Sequence, residues 1–228
     1  MRTSAILAIF LFAACGDDGK GNTQIDAPMQ GQTIKISGTA KDALSMGTLT
    51  GVAVTANKTS DDSVVATTTT AADGTYTLTV PFDGTSLDGY VKASLDMYTD
   101  TYLFPPAPLT ADFSAAAVNM LKPGVITGLY GIAQVTQDNT KGTITFETVD
   151  ATGALVAGVM VAASPSTGTI KYGNPPSTTA VMTGADGIAS VLNAPPGTVT
   201  LSATAGGTFH AHPVKVVAGA FITTLLSE

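Results

Sequence analysis

The sequence predicts an all-β chain: two tandem antiparallel β-sandwiches joined by a short helical or irregular connector. Three observations carry this expectation. Short runs alternate apolar and polar residues with period 2, glycine- and aspartate-bearing turns separate the runs, and one block pattern occurs twice. Of the 228 residues only 12% are charged, and threonine, alanine, glycine and valine are abundant. Threonine and valine suit a half-buried pleated surface, and glycine punctuates it.

The chain begins with an export signal. Arg2 supplies a short positive region, Ile6 to Phe12 an apolar run, and Ala13 and Ala14 the small residues a signal peptidase needs beside its cut. Cys15, the only cysteine, follows at once. The run Leu11-Phe12-Ala13-Ala14-Cys15-Gly16 resembles the bacterial lipobox. That resemblance implies a diacylglycerol on the Cys15 thiol and, after cleavage, acylation of the new amine. A membrane-spanning helix needs about 20 apolar residues, so this run is an address and not a span. Residues 1–14 are therefore expected to be a lipoprotein signal peptide and residues 15–30 a flexible lipidated tether. The tether holds Gly-Asp-Asp-Gly-Lys-Gly-Asn, with Ile25 and Met29 as its larger apolar side chains. Such a composition buries too little surface to offset ordering. Because Gly16 and not Asp follows the cysteine, the expected address is the outer membrane of a Gram-negative-type envelope, orientation open.

Two stretches carry the fold. Gly51-Val52-Ala53-Val54, Ala72-Asp73-Gly74-Thr75-Tyr76-Thr77-Leu78 and Gly89-Tyr90-Val91 recur as Gly158-Val159-Met160-Val161, Ala185-Asp186-Gly187-Ile188 and Gly197-Thr198-Val199. The offsets are 107 (158 − 51), 113 (185 − 72) and 108 (197 − 89), a near-constant spacing that argues for duplication of one unit. Val52 and Val54, like Tyr76, Leu78 and Val80, mark strands with one buried face. Asp73-Gly74 and Asp186-Gly187 are tight turns, the carboxylate capping its own turn and the glycine accepting positive φ. A leading strand precedes each unit, Thr33 to Thr39 with Ile34 and Ile36 inside, and Thr143 to Val149 with Ile144 and Phe146 inside. The last strand is expected over Val214 to Leu226.

The run from Gly51-Val52-Ala53-Val54 to Thr70-Ala71-Ala72-Asp73-Gly74-Thr75-Tyr76-Thr77-Leu78 resembles the carboxypeptidase regulatory-like domain, a transthyretin-like seven-stranded sandwich. In the second unit Ala189 stands at the tyrosine position, and Pro195-Pro196-Gly197 forms the family-like turn. The resemblance spans 31–115 and 141–228 and implies a spacer, binding unit or adhesive part, without the zinc peptidase domain beside which such modules also occur. Between them, residues 116–140 are the connector. Pro123 opens one or two helical turns there, weakened by Gly124, Gly128 and Gly131.

Charge excludes one partner class. Seventeen acids face ten bases, and losing Arg2 takes the net charge from −7 to −8. No basic patch exists to neutralise phosphates, so nucleic acid is not expected as a partner. With Cys15 acylated, no thiol remains for a disulfide, a metal or catalysis. No nucleophile elbow or phosphate-binding loop occurs, and no cofactor is expected.

Two residue groups still point to chemistry. His210 and His212, the only histidines, would share a strand face at a spacing that suits chelation, with Glu147 or Asp186 as a third ligand. The alternative is a pair of edge histidines, Pro213 limiting pairing beside them. In Asp96-Met97-Tyr98-Thr99-Asp100-Thr101-Tyr102-Leu103-Phe104, the rings of Tyr98, Tyr102 and Phe104 fall on alternating positions with Asp96 and Asp100. One strand face would then offer a row of rings to a sugar; the alternative places these rings in the core. The expected function is a non-catalytic, membrane-anchored structural or protein-binding module of the cell envelope, its partners being membrane lipid through Cys15 and an envelope protein. The alternative is carbohydrate or peptidoglycan binding.

Overall fold

The computed structural model describes residues 31–228, which form one compact unit. The signal peptide, Cys15 and the tether lie outside the described residues. Residues 32–120 build seven strands: β1 (Gln32–Asp42), β2 (Ala53–Lys58), β3 (Val64–Thr69), β4 (Thr75–Phe82), β5 (Gly89–Ser94), β6 (Thr101–Leu103) and β7 (Val118–Met120). A helix α1 (Pro123–Ala133) follows. Seven more strands complete the chain: β8 (Gly142–Val149), β9 (Met160–Ser164), β10 (Thr169–Tyr172), β11 (Ile188–Ala194), β12 (Gly197–Ala205), β13 (His212–Val216) and β14 (Phe221–Ser227). The fold is almost wholly β.

The strands follow from the period-2 pattern. In β4 the odd positions Thr75, Thr77 and Thr79 are exposed while Tyr76, Leu78 and Val80 are buried. Gly74 and Gly187 take positive φ (78° and 61°). Asp73 Oδ1 accepts from Thr75 N at 3.0 Å and Thr75 Oγ1 at 2.7 Å, and Asp186 Oδ1 accepts from Ile188 N at 3.2 Å. These carboxylates hold turns, as their sequence context indicates.

The duplication is visible bond by bond. Val52 N donates to Thr70 Oγ1 and Val159 N to Thr183 Oγ1, both at 3.0 Å. Each threonine hydroxyl then donates to a carbonyl at the start of its own unit, Leu49 O at 2.6 Å and Val156 O at 3.0 Å. β1 pairs with β4 as β8 does with β11, and β2 with β5 as β9 does with β12. The third strand breaks the parallel: β3 joins β2, whereas β10 joins β11, the counterpart of β4.

Three points correct the expectation. The sheets are mixed, because β7 runs parallel to β1 and β14 parallel to β8. The last strand is two, β13 and β14, separated by a turn with Gly219 at φ 70°. The helix is 11 residues long, three turns. It tolerates its glycines because Ile126, Tyr130 and Ala133 pack with Leu121, Leu192 and Phe221. Within the stretch read as connector, β7 pairs with β1 and places Val118 and Met120 in the first core.

Two hydrophobic cores lie between three sheets. The order β4-β1-β7 covers one side of the first core and β13-β12-β9 one side of the second. An eight-stranded sheet, β10-β11-β8-β14-β6-β5-β2-β3, runs through both. Its join is the parallel pairing of β14 with β6, extended by Phe221 N to Asp100 O at 3.0 Å and Phe104 N to Thr223 O at 2.9 Å. Tyr90, Tyr102 and Phe104, from the first repeat, pack in the second core with Ile144, Phe146 and Ile222. The repeats therefore do not stand apart as beads; they share a sheet.

Candidate functional site

The join leaves a cleft of about 520 Å³. Its walls come from four places in the chain: Tyr98, Thr99, Asp100 and Tyr102 from the β5–β6 segment, Pro123 and Ile126 from α1, Gln137 and Asn139 from the following loop, and Val217 to Ala220 from the β13–β14 turn. Three of the five expected site residues, Tyr98, Asp100 and Tyr102, thus meet in one cleft. Asp96 and Phe104 do not line it.

They do not form the expected row of exposed rings. Met97 takes φ 66° and Tyr98 N bonds back to Leu95 O at 3.1 Å, so the chain turns there, and β6 begins only at Thr101. Alternation along a strand consequently does not apply to Tyr98. Its ring is half-buried against the first core, whereas Tyr102 and Phe104 are buried in the second, with Tyr90 centroids 5.5 Å and 5.0 Å away. Asp96 is exposed and caps its own turn through Met97 N at 3.0 Å.

Each cleft tyrosine has a lysine over one ring face. Lys122 Nζ stands 5.4 Å from the Tyr98 centroid and Lys92 Nζ 5.6 Å from that of Tyr102. Lys92 also pairs with Asp100 at 2.8 Å, which raises its own pKa. Tyr98 donates to Asp42 Oδ2 at 2.7 Å. The Ser45 backbone N–H, that hydroxyl and the Leu44 N–H hold the Asp42 carboxyl down to about 2, and the same bond pushes the Tyr98 hydroxyl up. These tyrosines are tied to neighbours on one face or at the hydroxyl. Such an arrangement suits holding surfaces together better than stacking on a sugar.

Sequence reasoning missed Lys92, Lys122, Gln137 and Asn139. They fall in three separate stretches of the chain; the β5–β6 pairing sets Lys92 beside Tyr102, and the bond from Thr99 N to Leu121 O at 2.8 Å brings the start of α1 to Tyr98.

The histidines part company. His210 is exposed, before β13, with its N–H bonded to Ser227 O at 2.9 Å. His212 is half-buried at the seam between repeats, and its Nε2 has no hydrogen-bond partner. Glu147 is pushed up by burial and then by the charge of Asp186, so those two carboxyls lie near each other, whereas the charge felt by His212 is that of Asp88. Among the described residues no group of three or more His, Cys, Asp or Glu could hold a metal ion.

Burial lowers the His212 pKa, with Asp88 opposing in part. The unfolded chain, with an ordinary histidine near 6.5, therefore binds this proton more readily than the folded one. The stabilisation is complete above that value and is lost as pH falls through it. We expect the urea midpoint of the wild type to fall between pH 7.5 and pH 5.5, and His212→Gln to flatten this fall. Equal slopes for the two proteins would remove His212 as the cause.

No protein-family model and no curated protein sequence matches the chain. Among solved structures it is similar to the Bacillus anthracis TIE protein (13% identity, TM-score 0.30, 86% of this chain and 34% of that one). It is also similar to a streptococcal ancillary pilin (17%, 0.27, 86% and 62%). A third is the minor pilin GBS52 of the gram-positive pathogen Streptococcus agalactiae (11%, 0.28, 86% and 96%). The chain thus spans about a third of the first and 62% of the second. The expectation of a Gram-negative-type outer-membrane address is corrected by these matches. Two of the three are named as pilins, one of them of a gram-positive pathogen, and the signal features behind that expectation lie outside the described residues.

Proposed function

We propose that this chain is a non-catalytic structural and protein-binding module of a cell surface, tethered to a membrane by acylated Cys15. The observation that carries the reading is the shared eight-stranded sheet, which takes side chains of the first repeat into the second core and leaves no free joint. The seam is closed again at its other side, where Lys215 of β13 pairs with Asp62 of the β2–β3 turn, whose other carboxylate oxygen accepts from Tyr90 at 2.9 Å. A body built this way transmits force and holds a fixed spacing.

The finer reading takes 31–115 and 141–228 as two carboxypeptidase regulatory-like sandwiches and 116–140 as their connector. Its supports are the repeated Gly-Val and Asp-Gly blocks and the matched threonine bonds. The anchor rests on the lipobox-like run before Cys15.

Two measurements test the proposal. Small-angle scattering of the mature chain should fit one rigid body plus a tether, unchanged between low and high salt; a bimodal or salt-dependent distance distribution would refute it. Cys15→Ser should abolish metabolic labelling by a radioactive fatty acid and release the protein from the membrane fraction. Persistent labelling of the variant defeats the anchor.

A further inference from the structure

We propose that the outer edge of β3 takes an extended peptide strand of a protein partner, uncharged through its middle and basic at its ends, as a ninth strand of the long sheet. The proposal rests on the protein-binding reading above and names where and what it binds.

The argument begins with the six sheet edges. An edge strand presents unpaired N–H and C=O groups to any passing chain, and folds blunt it with proline, charge, shortness or a covering group. β4 carries Pro81, and β7 is three residues long. β10 is four residues long and carries Lys171. β13 contains Pro213 and Lys215, the latter paired with Asp62. On β9 the hydroxyl of Tyr172 accepts from Val161 N at 3.1 Å. β3 reads Val-Val-Ala-Thr-Thr-Thr, with no proline and no charge. Its one irregularity, a register shift beside Val64, lies at its beginning and leaves Ala66 to Thr69 regular.

The free groups can be named. β3 pairs with β2 in the register Thr68 to Val54 and Ala66 to Ala56, and Thr70 N donates to Val52 O at 3.0 Å. Bonded and non-bonded pairs alternate along an antiparallel ladder, so Thr67 and Thr69 turn their N–H and C=O outward. Both residues are exposed, and among the described residues neither has a hydrogen bond outside the ladder.

Charge chooses the occupant. Asp61 and Asp62 precede the strand and Asp73 follows it. Asp61 and Asp73 are held in the ionised form by bonds from Ser63 and Thr75. A second copy paired antiparallel would bring its own Asp61 and Asp62 to the end of β3 that Asp73 follows, and its Asp73 to the end that they precede. Like charges placed opposite are destabilising. A strand with lysine or arginine at its ends meets the same carboxylates favourably, while the β-branched run suits a partner of the same kind.

The test uses the full mature chain and a fluorescein-labelled peptide of alternating threonine and valine with two lysines at each end. Amide exchange at Thr67 and Thr69 should slow about tenfold or more with peptide at ten times its Kd. A peptide with glutamates at its ends should bind at least about tenfold more weakly by anisotropy. Thr67→Pro removes an outward N–H without touching the β2–β3 ladder and should abolish binding. Thr69→Lys, which leaves the backbone intact, should weaken the basic peptide and spares the test from any folding fault in the proline variant. Unchanged exchange at both amides, equal binding of the two peptides, or protection that rises with protein concentration alone would overturn the proposal. The last outcome would assign the edge to a second copy. Unchanged exchange and equal binding of the two peptides leave the scattering result as it is, and self-association shows there as a concentration dependence, so failure here is distinct from failure of the rigid-module reading.

Discussion

Replacing Phe104 by alanine is expected to destabilise both halves of the chain together. The ring is buried in the second core, yet its backbone directly follows β6, the strand that ends the first repeat's half of the long sheet. Truncating a buried phenylalanine costs about 3–5 kcal/mol, a large part of the 5–15 kcal/mol that holds a typical domain. The loss falls on the join itself. Phe104 N donates to Thr223 O at 2.9 Å and Phe104 O accepts from Thr224 Oγ1 at 2.9 Å, so backbone and side chain secure β14 at one point. Hydrogen exchange read by mass spectrometry should show peptides from β1, β4, β8 and β12 losing protection in parallel, with one thermal transition throughout. A variant whose first half keeps wild-type protection while the second melts would show that the halves are energetically separate.

Gly38→Ala is expected to be comparably damaging for the opposite reason, an atom too many. A Cβ at this position in β1 would lie 1.9 Å from the carbonyl oxygen of Ala116 and 2.4 Å from its carbon. Both are backbone atoms and cannot rotate away. That carbonyl also accepts the hydroxyl of Tyr76, the cross-strand partner of Gly38. Displacing the 113–118 segment therefore breaks a buried bond as well as creating a clash. Overpacking of this kind costs about 3 kcal/mol. Gly124→Ala in α1 is the control, since its Cβ would meet nothing within 4 Å and helix propensity favours alanine by about 1 kcal/mol. Chemical denaturation should move the two variants in opposite directions; a harmless Gly38→Ala would mean the Ala116 segment is not held where it lies.

The cleft illustrates how far residue patterns reach. Tyr98, Asp100 and Tyr102 were legible as a group because they are close in the chain, and they do share a wall. The assumed geometry failed at Met97, whose positive φ ends the alternation on which a common ring face depended. Nothing in a stretch with apolar and aromatic residues marks which one will turn. The lysines over those rings, Lys92 and Lys122, belong to β5 and to the cap of α1, and no local spacing relates them to each other.

The sequence by itself determined the β class, the strands around Ile34, Val52, Tyr76 and Ile144, the Asp-Gly turns and the duplication. These are encoded within a few residues of where they act: a period-2 pattern decides which face is buried, and a glycine beside an aspartate decides where the chain reverses. Only the tertiary structure decided that β3 lies with β2 while β10 lies with β11, that β7 and β14 run parallel to their partners, and that β14 docks on β6. Each of these is a choice between sheet edges, which present the same backbone groups whatever their side chains. The choice falls to whichever docking buries the remaining apolar side chains, here Tyr90, Tyr102 and Phe104, and that requirement exists only once both halves are folded against each other.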